Sequence, residues 1–582
     1  MARLFLIFVI SICTAAGLYG QQQKKIAYQI YWSGSEPTKK IKKNASGKNL
    51  TAKEFKIQKE RLFGKLYALG YIASEIVKFD SSSTPWIIEV DIGKQFEWKK
   101  LDAGNAEEGM LSKIGYRDRI YQNRPMSSSN VNELFSGVID YYENNGYPFA
   151  SIQFDSVQVK NQKIEAQLKI DKSTEITIDT VIITGTAKIS NRYLSNYLGI
   201  KSGDLYSEKL IRDIPTRLKE LAFTDQYRTA EVEFGIEANS TKLYVYVNHK
   251  KANDFNGIIG FMPDDVTGKL LVTGDIKLKL QNAIGKGEVL DVSWKKLQTQ
   301  TQDLKARIQY PFLFDTPLGV DAALNIYRRD TTFSTVTTDL GIQYIFRGGD
   351  YVKVFWEKEQ SNLISTFDLD IATVLPDYAD VVINSFGFGT KIEELDYRLN
   401  PSKGFDIEGQ IGFGNKEIRQ NPSINPVLYD SLKLKTTRTK GQITARYFIP
   451  FFARHTFMVG NQSGVLINEN LFTNELFRIG GLKTLRGFDE ESIFASSFSI
   501  FTLEYRFKLE ENSYFSVFYD QGWYENQSST AFITDTPFGF GTGITFDTKI
   551  GIFSVSYALG KQFANPILFR AAKIHFGFVN FF

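Results

Sequence analysis

The chain has 582 residues, too many for one ordinary domain, and a net charge of +4 without a long basic block, which argues against a nucleic-acid binder. It holds 47 Phe and 29 Tyr yet has a slightly negative mean hydropathy. That suits either a membrane β-barrel, apolar only at alternate strand positions, or a large secreted β-protein. Cys13 is the only cysteine, and His249, His455 and His575 lie far apart, so no disulfide framework or cysteine metal site is expected. No zinc-protease, nucleophile-elbow or phosphate-loop motif is present, so neither catalysis nor a metal nor a cofactor gains support.

Residues 1–20 read as a secretory signal peptide: Arg3, the apolar run Leu4 to Ile12, then small residues Thr14 to Gly17. Cys13 could serve as a lipidated residue only with Ile12 where a small residue is expected. Beyond the leader no stretch approaches the ~20 apolar residues of a membrane helix. If the chain is integral to a membrane, it must be a barrel.

Residues 21–252 carry a weak repeat with a period of roughly 75–80 residues. The first copy, 21–93, has a strand at Lys25–Trp32, a helix at Thr51–Leu69 stopped by Gly70, and strands near Ile76 and at Trp86–Val90. The second, 94–174, opens at Gln95–Trp98. Its helix Ser129–Asn144 stops at Asn145-Gly146, and strands Ala150–Lys160 and Lys163–Ile170 close it. The third, 175–252, reads as strand Glu175–Thr184, helix Ser190–Leu198, and a helix capped by Ser207 that runs to Leu221 and is kinked at Pro215. Strands Arg228–Phe234 and Lys242–Val247 follow. Strand-helix-helix-strand-strand resembles the POTRA fold, whose units in such proteins are thought to offer a sheet edge to passing polypeptides.

Residues 253–582 alternate with period two almost throughout. Phe501, Leu503, Tyr505, Phe507 and Leu509 share one face, with Thr502, Glu504, Arg506 and Lys508 on the other. The apolar face would point inward in a soluble sandwich and at lipid in an outer-membrane barrel. The connections favour the barrel. About sixteen strands can be drawn, with tight turns such as Asn282–Gly287, Phe312–Pro317 and Asp547–Lys549 alternating with longer loops at Gln360–Ala379, Lys416–Lys433 and Gln521–Pro537. Gly539-Phe-Gly541-Thr-Gly543 reads as glycines in a crowded strand.

The sixth long loop, roughly Gly464–Ser497, carries Gly480, Gly481 and the run Leu485-Arg486-Gly487-Phe488. That run resembles the Val-Arg-Gly-Phe/Tyr loop motif of the BamA/TamA family, with Leu in place of Val. Phe518-Tyr-Asp520-Gln-Gly522 resembles a second motif of that family, Phe-x-Asp-x-Gly. Period two turns Phe518 and Asp520 to the lumen, where Asp520 can receive the planar guanidinium of Arg486 if the loop folds inward. The last strand, with Phe576, Phe578 and Phe582 in phase, resembles the C-terminal targeting signal of bacterial outer-membrane barrels. The first, Asn256-Gly257-Ile-Ile-Gly260-Phe261, holds two glycines in its core and should pair poorly, marking a lateral seam.

The resemblance implies α+β periplasmic POTRA repeats followed by an all-β transmembrane barrel of about sixteen antiparallel strands, of the bacterial surface antigen type and closer in size to TamA. It implies insertion or translocation of unfolded outer-membrane or secreted proteins, without cofactor, metal or nucleic acid. Outer-membrane lipid is a partner, and an inner-membrane-anchored, periplasm-spanning protein is compatible. A two-partner secretion transporter and a passive pore are the alternatives. The former normally has two POTRA units and a plug helix, and neither is evident here.

Overall fold

The structure is a computed structural model that describes residues 25–34, 41, 46–235, 241–263, 270–298, 301–347, 349–365, 369, 373–398, 400–528, 531–548 and 551–581. The expected signal peptide and Phe582 lie outside them. The chain forms two compact units, Met1–Thr177 with Leu205–Lys209, and Ile178–Asp204 with Leu210–Phe582.

The first unit holds two α/β modules. In the first, Ile26–Ser33 pairs in parallel with Trp86–Asp91, which pairs with the edge strand Glu75–Asp80. Helix Ala52–Ala68 starts at a capping box in which Thr51 and Glu54 satisfy each other's backbone N–H. A further strand, Ser46–Leu50, pairs with Ile26–Ser33 inside a segment whose polar, lysine-rich sequence carries no strand alternation. The second module places Lys163–Asp171 between Glu97–Asp102 and the edge strand Ser151–Lys160. Helix Ser128–Glu143 lays Leu134, Val138 and Tyr142, four residues apart, on a core with Trp98, Met110 and Leu168. Each such burial stabilises by about 1.5–3 kcal/mol.

The helix Glu208–Glu220 runs through Pro215. Its opening N–H groups are satisfied differently from the expected Ser207 cap. The Asn144 side-chain oxygen accepts from Lys209 N at 2.8 Å and from the Ser207 hydroxyl at 3.0 Å.

In the second unit, Lys242–His249 pairs with Thr224–Glu233 and, in parallel, with Thr180–Thr184. The helix Asn191–Leu198 faces two of the tight barrel turns: Ser190 N donates to Gly285 O at 2.8 Å, the Tyr193 and Phe312 rings lie 5.7 Å apart, and Arg192 pairs with Asp315.

The rest is a closed antiparallel barrel from Asp254–Pro263, the first strand, to Lys573–Phe581, the last. Ala531–Asp535 and Phe538–Thr548 both pair with Tyr514–Ser528 and form one interrupted strand, so the ring counts sixteen among the described residues. The segment Gln521–Pro537, expected as a long loop, is therefore mostly a hairpin arm. Likewise strands reach Leu363 and Arg419, shortening the other two expected loops. In the Gln521–Pro537 arm Asn526 and Gln527 pair with Ile533 and Phe532, so polar residues on one side of the ladder interrupt the alternation expected of a strand.

Orientation is plain along Asp350–Leu363, where Val352 and Val354 are exposed while Tyr351, Lys353, Glu357 and Glu359 are buried. The inner face is a lattice of charge: Arg307 holds Asp321 through two hydrogen bonds of 2.8 and 2.6 Å, and Lys353 reaches the same carboxylate at 3.3 Å. Apolar groups outside and paired ions inside are the arrangement that lipid requires and a soluble sandwich inverts.

Candidate functional site: a loop locked inside the barrel

The segment between His455–Ile467 and Ser497–Lys508 turns back into the barrel. Two short strands, Phe477–Ile479 and Ile493–Ala495, pair to make its stem. At the tip Gly480 and Gly481 have φ of +111° and +100°, and a Cβ on Gly481 would lie 2.3 Å from the Glu490 carboxylate. Leu485 is fully buried in a cluster with Ile479, Ile493, Phe498, Ile500 and Tyr524.

Leu485 thereby fixes the direction of Arg486. The Arg486 guanidinium donates from Nε to Asp520 Oδ2 at 2.7 Å and from NH2 to Asp520 Oδ1 at 2.7 Å, the two-pronged geometry available to arginine alone. Its NH1 donates to Glu504 Oε2 at 2.5 Å. The plane lies 3.6 Å over the Phe518 ring, adding a cation–π contact. Asp520 is 0 % exposed and also accepts from the Thr502 hydroxyl at 2.9 Å, while Glu504 accepts from Arg506 Nε at 2.7 Å. Phe518 and Asp520 do face the lumen, and Phe515, Val517 and Tyr519 are exposed on the outer wall.

The backbone of the loop lies against a trench without side chains. A Cβ on Gly539 would sit 1.8 Å from Arg486 O and one on Gly560 2.6 Å from Gly487 O, whereas one on Gly541 would meet the wall itself, 2.0 Å from Tyr557 O. Gly487, at φ +92°, is itself pressed on the Leu559 carbonyl carbon at 2.6 Å from its ideal Cβ, and the Phe488 ring meets Gly560 at 2.8 Å by the same measure. Gly522 donates its N–H to Pro537 O at 2.7 Å, shaping the bulge that interrupts the adjoining strand.

A second anchor holds the root of the loop. Glu475 pairs with Lys416, both side chains fully buried, and Arg438 bridges to Glu359 with bonds of 3.1 and 3.0 Å. Asn474 donates to Ser361 Oγ at 2.8 Å and to Ala379 O at 2.9 Å. This anchor joins residues from five separated stretches, and no local motif announces it. Glu504 and Arg506 sit on the polar face that alternation assigns, but nothing in that pattern names them as partners of Arg486.

Phe576 and Phe578 lie in the last strand opposite Val555 and Phe553, the Phe553 and Phe578 rings 4.5 Å apart. Gly257 and Gly260 pair with Ile276 and Thr273 of the second strand, Leu270–Gln281. Among the described residues, the register between the first and last strands holds for two residue pairs, Asp254 with Phe581 and Phe255 with Asn580. Among the described residues no cluster of His, Cys, Asp and Glu could hold a metal.

The Omp85 superfamily domain matches residues 220–582, and the surface antigen variable number repeat, a POTRA module, matches residues 176–250. No curated protein matches. Among solved structures, CdiB from Escherichia coli is similar at 13% identity with a TM-score of 0.52, covering 94% of this chain and 100% of that one. CdiB from Acinetobacter baumannii is similar at 14% identity with a TM-score of 0.51, covering 84% and 89%. BamA from Haemophilus ducreyi lacking POTRA domains 1-3 is similar at 13% identity with a TM-score of 0.42, covering 84% and 99%. With the superfamily domain spanning the barrel and a POTRA module preceding it, the chain belongs to the Omp85 superfamily, an outer-membrane barrel with periplasmic POTRA domains.

Proposed function

We propose that this protein inserts or exports other proteins at the outer membrane, and that it does so by lateral strand pairing without a catalytic step. The observation that carries the reading is the seam. Among the described residues the first and last strands share two register pairs, whereas Asp380–Leu395 and Gly404–Arg419 pair over their whole length. At about 0.5–1.5 kcal/mol per net backbone hydrogen bond, the seam is the cheapest place to open the wall. A client strand arriving there can pair with the free edge of the first strand.

The edge strands Glu75–Asp80 and Ser151–Lys160 support a client-holding role. Each leaves backbone groups unpaired on one side, and Val77, Phe79, Val157 and Val159 are exposed along them. The loop locked across the lumen weighs against a passive pore.

The test is a disulfide across the seam. Phe255→Cys and Asn580→Cys, directly opposed in register, are introduced with Cys13→Ser. The crosslinked protein is expected to reach the membrane with a heat-modifiable barrel and to stop assembling outer-membrane clients until reductant is added. Full client assembly by a crosslinked barrel refutes lateral opening.

A further inference from the structure

The connection between the last two strands is an exposed apolar segment beside the seam. Gly551–Lys561 continues past Ala558, where its pairing with Lys573–Phe581 ends, and residues 562–572 bring the chain back down. Residues 563–571 are all exposed. They include Phe563, Ile567, Leu568 and Phe569, the last 76 % exposed. In water such a patch would be a liability.

Its position explains it. Tyr557 points outward from the barrel wall and its hydroxyl donates to Phe569 O at 3.3 Å, which brings the segment to the lipid side of the wall. Ile574 and Phe576, exposed on the same face of the next strand, continue the apolar surface. The departure from the strand is built in: Phe563 is held at φ +54°, a conformation costly for a bulky side chain, and its N–H donates to Asp535 Oδ2 at 2.8 Å. Local turns at Leu568–Ala571 and Phe569–Ala572, of 2.9 and 3.2 Å, satisfy backbone groups that the hydrocarbon core would otherwise penalise. Arg570 lies among the apolar residues, where a guanidinium can reach a lipid phosphate.

We propose that residues 563–571 are an interfacial lipid anchor. Phe563, Ile567, Leu568 and Phe569 dip into the acyl boundary of the outer leaflet, and Arg570 binds its phosphate-bearing headgroups, at the outer end of the seam. This surface binds lipid whether or not the seam opens, so it stands apart from the assembly role.

The full-length chain with Cys13→Ser and Phe569→Cys, carrying a nitroxide, is placed in phosphatidylcholine vesicles with or without phosphatidylglycerol. Lys433→Cys, an outer-loop position with a 70 % exposed side chain, is the aqueous reference. Power saturation is expected to show the Phe569 probe at least threefold more accessible to oxygen than to a water-soluble nickel chelate, with the opposite order at Lys433. Phosphatidylglycerol should deepen the Phe569 probe, and Arg570→Gln should abolish that deepening. Equal nickel accessibility at the two positions overturns the anchor. A lipid-seated probe whose depth is unchanged by Arg570→Gln overturns the headgroup contact.

Discussion

Arg486→Ala should free the lumen loop. The substitution removes two bonds of 2.7 Å to Asp520 and one of 2.5 Å to Glu504. Asp520, fully buried, would then keep only the Thr502 hydroxyl and the backbone N–H of residue 486. Breaking a buried pair costs about 3–5 kcal/mol, chiefly because a charge is stranded. Glu504 retains Arg506, so the low end applies. A loss of about 3 kcal/mol raises the loop's undocking constant about 100-fold.

The reporter is a thiol at Leu485, whose side chain is fully buried when the loop is docked. In a Cys13→Ser, Leu485→Cys background, the alkylation rate follows the population of the undocked state when redocking is fast. Arg486→Ala should accelerate alkylation about 100-fold. Asp520→Asn should act similarly, and the double variant should be no faster than the worse single, because no carboxylate is then stranded. Multiplicative effects, or a change below about threefold in Arg486→Ala, would refute the lock, since a coupling of about 3 kcal/mol is expected.

Gly539→Ala should give the same accelerated alkylation with both ionic partners intact, since its Cβ would lie 1.8 Å from Arg486 O; an unchanged rate would mean the trench is slack. Glu475→Gln should strand the buried Lys416 at a cost of about 3–5 kcal/mol, read as a lower heat-modification temperature on gels. Leu134→Ala should destabilise the second periplasmic module by about 2–5 kcal/mol, read from the urea midpoint of its tryptophan fluorescence, with the barrel's gel shift unchanged.

Alternation made the barrel legible because its inside and outside differ chemically at every second residue: Phe515, Val517 and Tyr519 against Phe518 and Asp520. Turns were legible where glycine, asparagine and proline concentrate, as at Asn282–Gly287. The Arg486–Asp520 meeting could be anticipated because each residue sits in its own short motif and only one bidentate partner was required. The Lys416–Glu475 and Arg438–Glu359 anchor could not. Its members are single polar letters in four stretches, and only the curvature of neighbouring strands and the inward fold of the loop make them neighbours. The Asn144 cap escaped for a related reason: the residue that satisfies the helix belongs to the preceding module, while Ser207 in the local position spends its hydroxyl on Asn144. The hairpin arm within Gln521–Pro537 reads as a loop in the sequence because one side of its ladder, Glu525 to Ser528, is polar throughout and carries no alternation.

The side-chain-free trench ties the loop to this particular wall. Gly539 and Gly560 sit in the wall, while the backbone they admit belongs to Arg486 and Gly487, far away in the chain. Neither part is useful alone. A wall with any Cβ at these positions rejects the loop, and a trench without the loop is a row of weak strand positions. Loop and trench therefore work as one unit. Grafting the loop onto another barrel transplants a key without its keyway, whereas exchanging the loop together with the three strands from Tyr514 to Lys561 carries both.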